Sequence, residues 1–144
     1  FMIALSSDSF GAAFTTIINS MLNFGTEVNG TTFIMNVGGI VFKPAHSIVF
    51  MVSSVIMAEI FGFPVSVSWL IFAAILSVIL TVAVPNVPGA SASVYALLFT
   101  QLGLPAEALT LMIAVNAFLE FAMVAVNMYC LQGEIVLQTG KKQE

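Results

Sequence analysis

The chain has 144 residues, 60% of them hydrophobic and 7% charged, with a formal net charge of −4 at pH 7. This composition, with a mean hydropathy of +1.10, excludes an ordinary soluble domain and indicates an integral membrane protein surrounded by lipid. Its three basic residues, all lysines, do not make the basic patch that nucleic acid binding needs, so no nucleic acid partner is expected.

The first segment, about residues 1–30, is predicted to be a helical hairpin. It opens at Phe1 without a basic leader, so we expect a fragment of a larger protein rather than a signal peptide. Residues 6–9 are polar and contain a Ser or Asp able to cap a helix. The apolar run at residues 10–22 is too short to cross a bilayer, so it fits half of a re-entrant hairpin or a buried helix.

The second segment, about residues 31–62, consists of two short apolar runs that flank Gly38-Gly39 and Lys43-Pro44. Pro44 cannot donate a backbone hydrogen bond and disfavours helix at Lys43. A break at membrane depth leaves carbonyl groups unpaired, which is tolerated only where they line a cavity or bind a ligand. The pattern therefore predicts one transmembrane helix that is broken in its middle.

The third segment, about residues 67–104, has two apolar arms around a tip at residues 85–93 that is rich in Pro, Gly and Ser. Its second arm is too short to cross a bilayer. This arrangement predicts a second re-entrant hairpin.

The last span, about residues 107–133, carries Asn116, Glu120 and Asn127 in its middle. Steps of four and seven residues place all three on one helical face. A carboxylate at membrane depth is costly, so it is expected to face protein or a polar cavity and to mark a ligand path. A helix–helix contact held by Asn and Glu hydrogen bonds is the alternative.

These segments predict an all-α membrane protein with two re-entrant helical hairpins, one broken transmembrane helix and a final transmembrane helix. Short segments interrupted by Gly and Pro in this order indicate the midplane binding site of a secondary transporter. Lys141 and Lys142 follow the last span, so residues 136–144 are predicted to be a tail on the cytoplasmic side.

Two motifs resemble the dicarboxylate/amino acid:cation symporter family, the glutamate transporter homologues. They are Val-Pro-Gly at residues 87–89, similar to that family's hairpin tip, and Gly-Leu-Pro at residues 103–105, similar to the end of that hairpin. The last helix is similar to the family's final span. The resemblance implies the C-terminal half of an elevator-type transport domain in a bacterial inner or plasma membrane. It also implies missing N-terminal scaffold spans and a homotrimer for the full-length protein.

The resemblance implies a neutral rather than acidic solute, either a small amino acid or an amine. The family's arginine for acidic substrates corresponds to Met123, its acidic partner to Asn116, and a nearby threonine to Val124. Losing both charges together avoids an unpaired buried charge. Glu120 falls at the position that binds the substrate's amino group, and Asn127 at the position that holds its carboxylate. The implied substrate-binding positions are Ser9, Val87, Pro88, Gly89, Ala90, Asn116, Glu120, Met123, Val124 and Asn127.

Cation coupling is where the chain departs from the family. Two carboxylates that neutralise sodium in the family correspond to Pro44 and Leu131. The cation-binding positions that remain are the carbonyls of Gly38 and Phe42, the side chain of Asn127, and hairpin carbonyls near Thr81 to Val84. Because bare carbonyls bind a monovalent cation weakly, the resemblance leaves coupling to Na⁺ or H⁺ open, and it implies no organic cofactor or metal centre.

Lys43 and His46 are candidate charge substitutes. One hypothesis places the Lys43 ammonium where relatives hold a sodium ion, which would make transport proton-linked or independent of cations. The alternative is that Lys43 reaches an interface and that His46 is a hydrogen-bonded buried histidine.

Two other functional interpretations of the sequence compete with that of a transporter. Gly-Ala-Ser-Ala at residues 89–92 resembles the nucleophile motif of intramembrane serine proteases, with Ser91 as nucleophile. The chain's one histidine, His46, precedes that serine instead of following it, and small residues in a tight hairpin explain the motif better, so an enzyme is not expected. The other reading is a membrane protein that keeps the fold and has lost transport.

Overall fold

The computed structural model describes residues 10–87 and 89–139, and side-chain surroundings from residue 14 onward. Within that part the chain is helical. Its six helices are α1 (Phe10–Asn23), α2 (Val28–Val41), α3 (Pro44–Ile60), α4 (Val67–Ala83), α5 (Ser91–Leu102) and α6 (Ala106–Thr139). The predicted site residues Ser9 and Pro88, and the tail lysines Lys141 and Lys142, lie outside the described residues.

Helices α2 and α3 are two halves of one apolar stretch that is interrupted at Phe42 and Lys43. The helix passes through the Gly-Gly pair, and its last turn closes with the Phe42 amide donating to the Gly38 carbonyl at 2.7 Å. Lys43 then leaves helical geometry, with φ −126° and ψ 62°. Pro44 opens α3, where its missing N–H costs no intrahelical bond. Proline rather than the glycines therefore sets the break.

Helices α4 and α5 form a helical hairpin, and its described connecting residues 84–87, 89 and 90 are not helical. The Ser66 hydroxyl caps α4 by accepting from the Trp69 amide at 3.2 Å. The Trp69 indole donates to the Leu102 carbonyl at 3.0 Å and so ties together the two ends of the hairpin base. At the tip, Gly89 has a positive φ of 75°, a turn conformation that side chains with a Cβ rarely adopt.

Helix α6 contacts α1, α2, α3 and α5. Its first half packs in an apolar cluster with α3, α4 and α5, around the buried rings of Phe50, Tyr95 and Phe99. Its second half packs in a separate cluster with α1 and α2, whose buried members are Ile17, Met35, Met128, Leu131 and Ile135. Glu120 lies on α6 between these clusters.

Helix α6 extends to Thr139 rather than to about residue 133, so part of the predicted tail is helical. The reason is packing, because Ile135 is fully buried in the second cluster. Two stretches of the described residues are long and apolar enough to cross a membrane. These are Val28–Ile60, which includes the break, and Ala106–Thr139.

Candidate functional site

A cavity lies where the α2–α3 break, the hairpin tip and α6 meet. Its empty space is about 410 Å³ when the opening to the surroundings is included. Its lining residues are Gly39, Phe42, Lys43, His46, Val84, Pro85, Asn86, Val87, Glu120, Val124, Asn127 and Met128.

Glu120 is the carboxylate of this cavity, and only 2% of its surface is exposed. The Ser91 amide donates to its Oε1 at 3.3 Å, and the Asn116 side-chain amide donates to its Oε2 at 2.8 Å. The Ser91 hydroxyl also contacts Oε2 and lies 3.0 Å from the Asn116 carbonyl oxygen. Ser91 is the first residue of α5, so the carboxylate meets the positive end of a helix dipole. Glu120 therefore faces protein and not lipid.

Lys43 is the cation of the cavity. Its side chain is buried, with 7% of its surface exposed, and its ammonium donates to the Val84 carbonyl at 2.5 Å. Val84 directly follows α4, and the last carbonyls of a helix lack intrahelical partners and carry its negative end. Lys43 therefore turns into the protein instead of reaching out to an interface.

Asn127 connects α6 to the start of α3. Its Oδ1 accepts from the Ala45 amide at 2.8 Å, and its Nδ2 lies 2.6 Å from His46 Nδ1. Because the amide nitrogen can only donate, His46 Nδ1 accepts, and the neutral ring carries its proton on Nε2. His46 is buried and packs edge-on against Phe50, with ring centres 5.9 Å apart. The interaction fixes the orientation of both polar side chains.

Four interrupted helix ends meet at the cavity. Glu120 and Asn127 accept from the N-terminal amides of α5 and α3, while Lys43 projects from the end of α2 to the end of α4. The cavity thus offers one carboxylate, one ammonium, one imidazole and two carboxamides beside the apolar Val124 and Met128. Such a mixture suits a small molecule with both a polar and an apolar part.

The structure brings many of the sequence-predicted residues to this cavity and leaves others outside its lining. At the cavity lie Phe42, Lys43, His46, Val87, Glu120, Val124 and Asn127. Outside its lining lie Gly38, Thr81, Gly89, Ala90, Asn116 and Met123. Asn116 touches the site through its bond to Glu120, and Thr81 lines a neighbouring cavity together with Phe42 and Lys43.

Sequence reasoning missed two side chains of the site. Ser91 was assigned to the hairpin tip and weighed as a protease nucleophile, whereas the structure places it on Glu120. Asn86, whose side chain donates to the Gly39 carbonyl at 3.4 Å, was not predicted as a site residue. A serine that opens a helix after a Pro-Gly turn was a usable signal for the first of them.

The geometry gives no support to a protease. The hydrogen-bond partners of Ser91 are Asn116 and Glu120, while His46 pairs with Asn127. In the described part of the chain, moreover, no three His, Cys, Asp or Glu side chains are grouped so as to hold a metal ion.

The model of the sodium:dicarboxylate symporter family matches residues 1–131 of the chain. The matched range includes every residue that lines the cavity. Comparisons with curated proteins and with solved structures found no match.

Proposed function

The chain belongs to the sodium:dicarboxylate symporter family, and from this premise we propose that it forms the solute-binding half of a secondary active transporter for a small neutral amino acid or amine. The family consists of cation-coupled symporters of the membrane, so the chain is a membrane transport protein and not an enzyme. Its full-length protein is proposed to be a multi-pass homotrimer with upstream scaffold spans and a cytoplasmic C-terminus.

The observation that carries the proposal is the buried carboxylate of Glu120 at the cavity. An ionised carboxylate has about four acceptor sites, and Ser91 and Asn116 provide three contacts to them. Room therefore remains on Oε1 for a charge-assisted bond from a solute ammonium. Such a bond gains strength in a site shielded from water.

The walls of the cavity favour a solute without a second carboxylate. The chain contains no arginine, and the Lys43 ammonium is already bonded to Val84. An acidic solute would bring another negative charge close to Glu120, where the like charges repel. A neutral solute instead places its apolar part against Val124 and Met128, and its own carboxylate near the second amide hydrogen of Asn127.

The test is a panel of solutes applied to the whole natural protein that carries this chain, in proteoliposomes and in detergent. Neutral amino acids are expected to be taken up and to raise the melting temperature, because a ligand that binds only the folded state stabilises it. Dicarboxylates at the same concentration are expected to do neither. Stabilisation by dicarboxylates would contradict the proposed solute class.

Glu120→Gln is the matching variant. It removes the charge that meets the ammonium, so solute affinity is expected to fall about 10- to 100-fold. Glu107→Gln, an exposed position on the same helix, is the control and is expected to bind as the wild type does. Equal affinity in both variants would remove Glu120 from the binding site.

A fold-retaining membrane protein without transport is the second candidate. It is favoured by one observation, which is that the charged groups of the cavity are already bonded within the chain, Glu120 to Ser91 and Lys43 to Val84. If no solute in the panel is transported or stabilises the protein, this second candidate replaces the first.

A further inference from the structure

We propose that the Lys43 ammonium is a built-in cation that holds the hairpin tip against the broken span, so that closing the tip requires no metal cation from solution. The hairpin tip is defined as the described residues 84–87, 89 and 90. The proposal rests on the proposed function only in regarding this tip as the moving wall of the solute site.

The first step is the contact of the ammonium with the end of α4. Lys43 lies in the break between α2 and α3, and its Nζ donates to the carbonyl of Val84, just beyond the last residue of α4. This helix end presents carbonyl groups and the negative pole of the helix. In transporters with broken helices, such ends are where a monovalent cation binds. A tethered ammonium satisfies the same carbonyl chemistry.

The second step is burial. A buried cation without compensation is strongly unfavourable, and Glu120 is already bonded to Ser91 and Asn116. The bond to Val84 is therefore the direct compensation of the ammonium. If the tip moved away, Lys43 would lose this partner. The bond between the ammonium and Val84 thus favours the closed tip.

The third step is the complementary contact on the other side of the tip. The amide at the N-terminus of α5 donates to Glu120, while the carbonyl at the C-terminal end of α4 accepts from Lys43. The two ends of the tip are thus held by charges of opposite sign, Lys43 at the α4 end and Glu120 at the α5 end. Asn86 adds a bond to the Gly39 carbonyl at 3.4 Å. Of these three contacts, only that of Lys43 places a cationic group at the carbonyl end of a helix.

The experiment measures opening of the tip without any solute, in the whole natural protein in proteoliposomes. Cys130 is replaced by Ser, and Val84→Cys provides a thiol for maleimide labelling at a tip position that is buried in the closed structure, with 4% of its surface exposed; the backbone carbonyl that accepts from Lys43 is retained. With Lys43 present, labelling is expected to be slow and equally slow in sodium chloride and in choline chloride. A several-fold slowing by sodium in this protein would overturn the proposal.

Lys43→Ala is the decisive variant. Loss of a hydrogen bond to a charged group is expected to speed labelling about tenfold. Propylammonium replaces the deleted atoms and is expected to restore slow labelling, whereas propanol is not. Lys43→Met, which keeps the side-chain volume, serves if the alanine variant does not fold, and it is expected to label as fast. An unchanged labelling rate in the folded variant would overturn the proposal.

Two controls separate this inference from the proposed function. Ser47→Ala removes a hydroxyl that bonds the Pro44 carbonyl beside the break and does not line the solute cavity, and it is expected to label like the parent. Glu120→Gln tests solute binding. If this variant bound the solute as the wild type does, the proposed role of Glu120 would be wrong, and the dependence of labelling on Lys43 would be unaffected. The two proposals therefore fail by different measurements.

Discussion

Ser91 joins the hairpin to α6 at the scale of single residues. Its amide and hydroxyl reach Glu120 and Asn116, and all three side chains are at most 3% exposed. The one hydroxyl hydrogen can serve only one of its two acceptors at a time. A solute that takes over part of the Glu120 carboxylate would leave the hydroxyl bonded to Asn116.

Ser91→Ala tests the stability of this contact. The substitution leaves buried acceptors on Glu120 and Asn116 short of a donor, so the free energy of unfolding is expected to fall by about 1–3 kcal/mol. Ser93→Ala, an exposed serine in the same helical turn that bonds the Ala90 carbonyl, is expected to change it by less than about 0.5 kcal/mol. Denaturant titration in detergent measures both, and equal losses would show that the Ser91 contact contributes nothing special.

The local residues of the site were accessible to sequence reasoning, and their distant partners were not. Helical spacing alone placed Asn116, Glu120 and Asn127 on one face, and all three are buried. Ser91, the distant partner of Glu120, lies 29 residues away in sequence, and Val84, the partner of Lys43, lies 41 residues away. Only tertiary packing decides which helix ends meet, and no local pattern encodes it.

At the scale of helices, Gly38 permits the close approach of α2 to α6. A Cβ added at Gly38 would lie 2.6 Å from Leu131 Cδ1, and Leu131 is 1% exposed, so it has little space to move away. The residue that sequence comparison treated as a cation-site position therefore has a clear packing role. Small residues at helix interfaces are the usual means of close packing in membranes.

Gly38→Ala is expected to lower stability by about 1 kcal/mol, because overpacking outweighs the gain in helix propensity. Gly133→Ala is the control on α6, since nothing lies within 4 Å of its added Cβ. That variant is expected to raise stability by up to about 1 kcal/mol. The melting temperatures of the two variants should shift in opposite directions from that of the wild type. A stabilised Gly38→Ala variant would contradict the close contact.

The helices themselves were largely predictable, and their ends less so. Pro44 predicted the broken span because proline disfavours helical geometry at the preceding residue, Lys43, on purely local grounds. The tip turn followed from the Pro and Gly content of residues 85–93 in the same way. The end of α6 was not predictable, because the burial of Ile135 against α1 and α2 depends on distant segments.

At the scale of the whole molecule, the described helices present large apolar side chains outward. Phe118 is 81% exposed in the middle of α6, and Leu137 is 83% exposed near its end. A soluble protein rarely leaves such surfaces uncovered. The apolar interior of a membrane matches such a surface.

Arginine at these two positions probes depth in the membrane. Phe118→Arg is expected to lower the stability of the protein in lipid nanodiscs by about 2–3 kcal/mol, the cost of a charge near the bilayer centre. Leu137→Arg, equally exposed but near the helix end, is expected to cost less than about 1 kcal/mol because its guanidinium reaches the interface. Equal losses, measured by denaturant titration, would contradict this depth assignment.

The bond from Trp69 to Leu102 joins the bases of α4 and α5, so the two helices are expected to move as one unit. Trp69 is also the chain's one tryptophan, and its indole fluorescence therefore reports on the base of this hairpin without an introduced label.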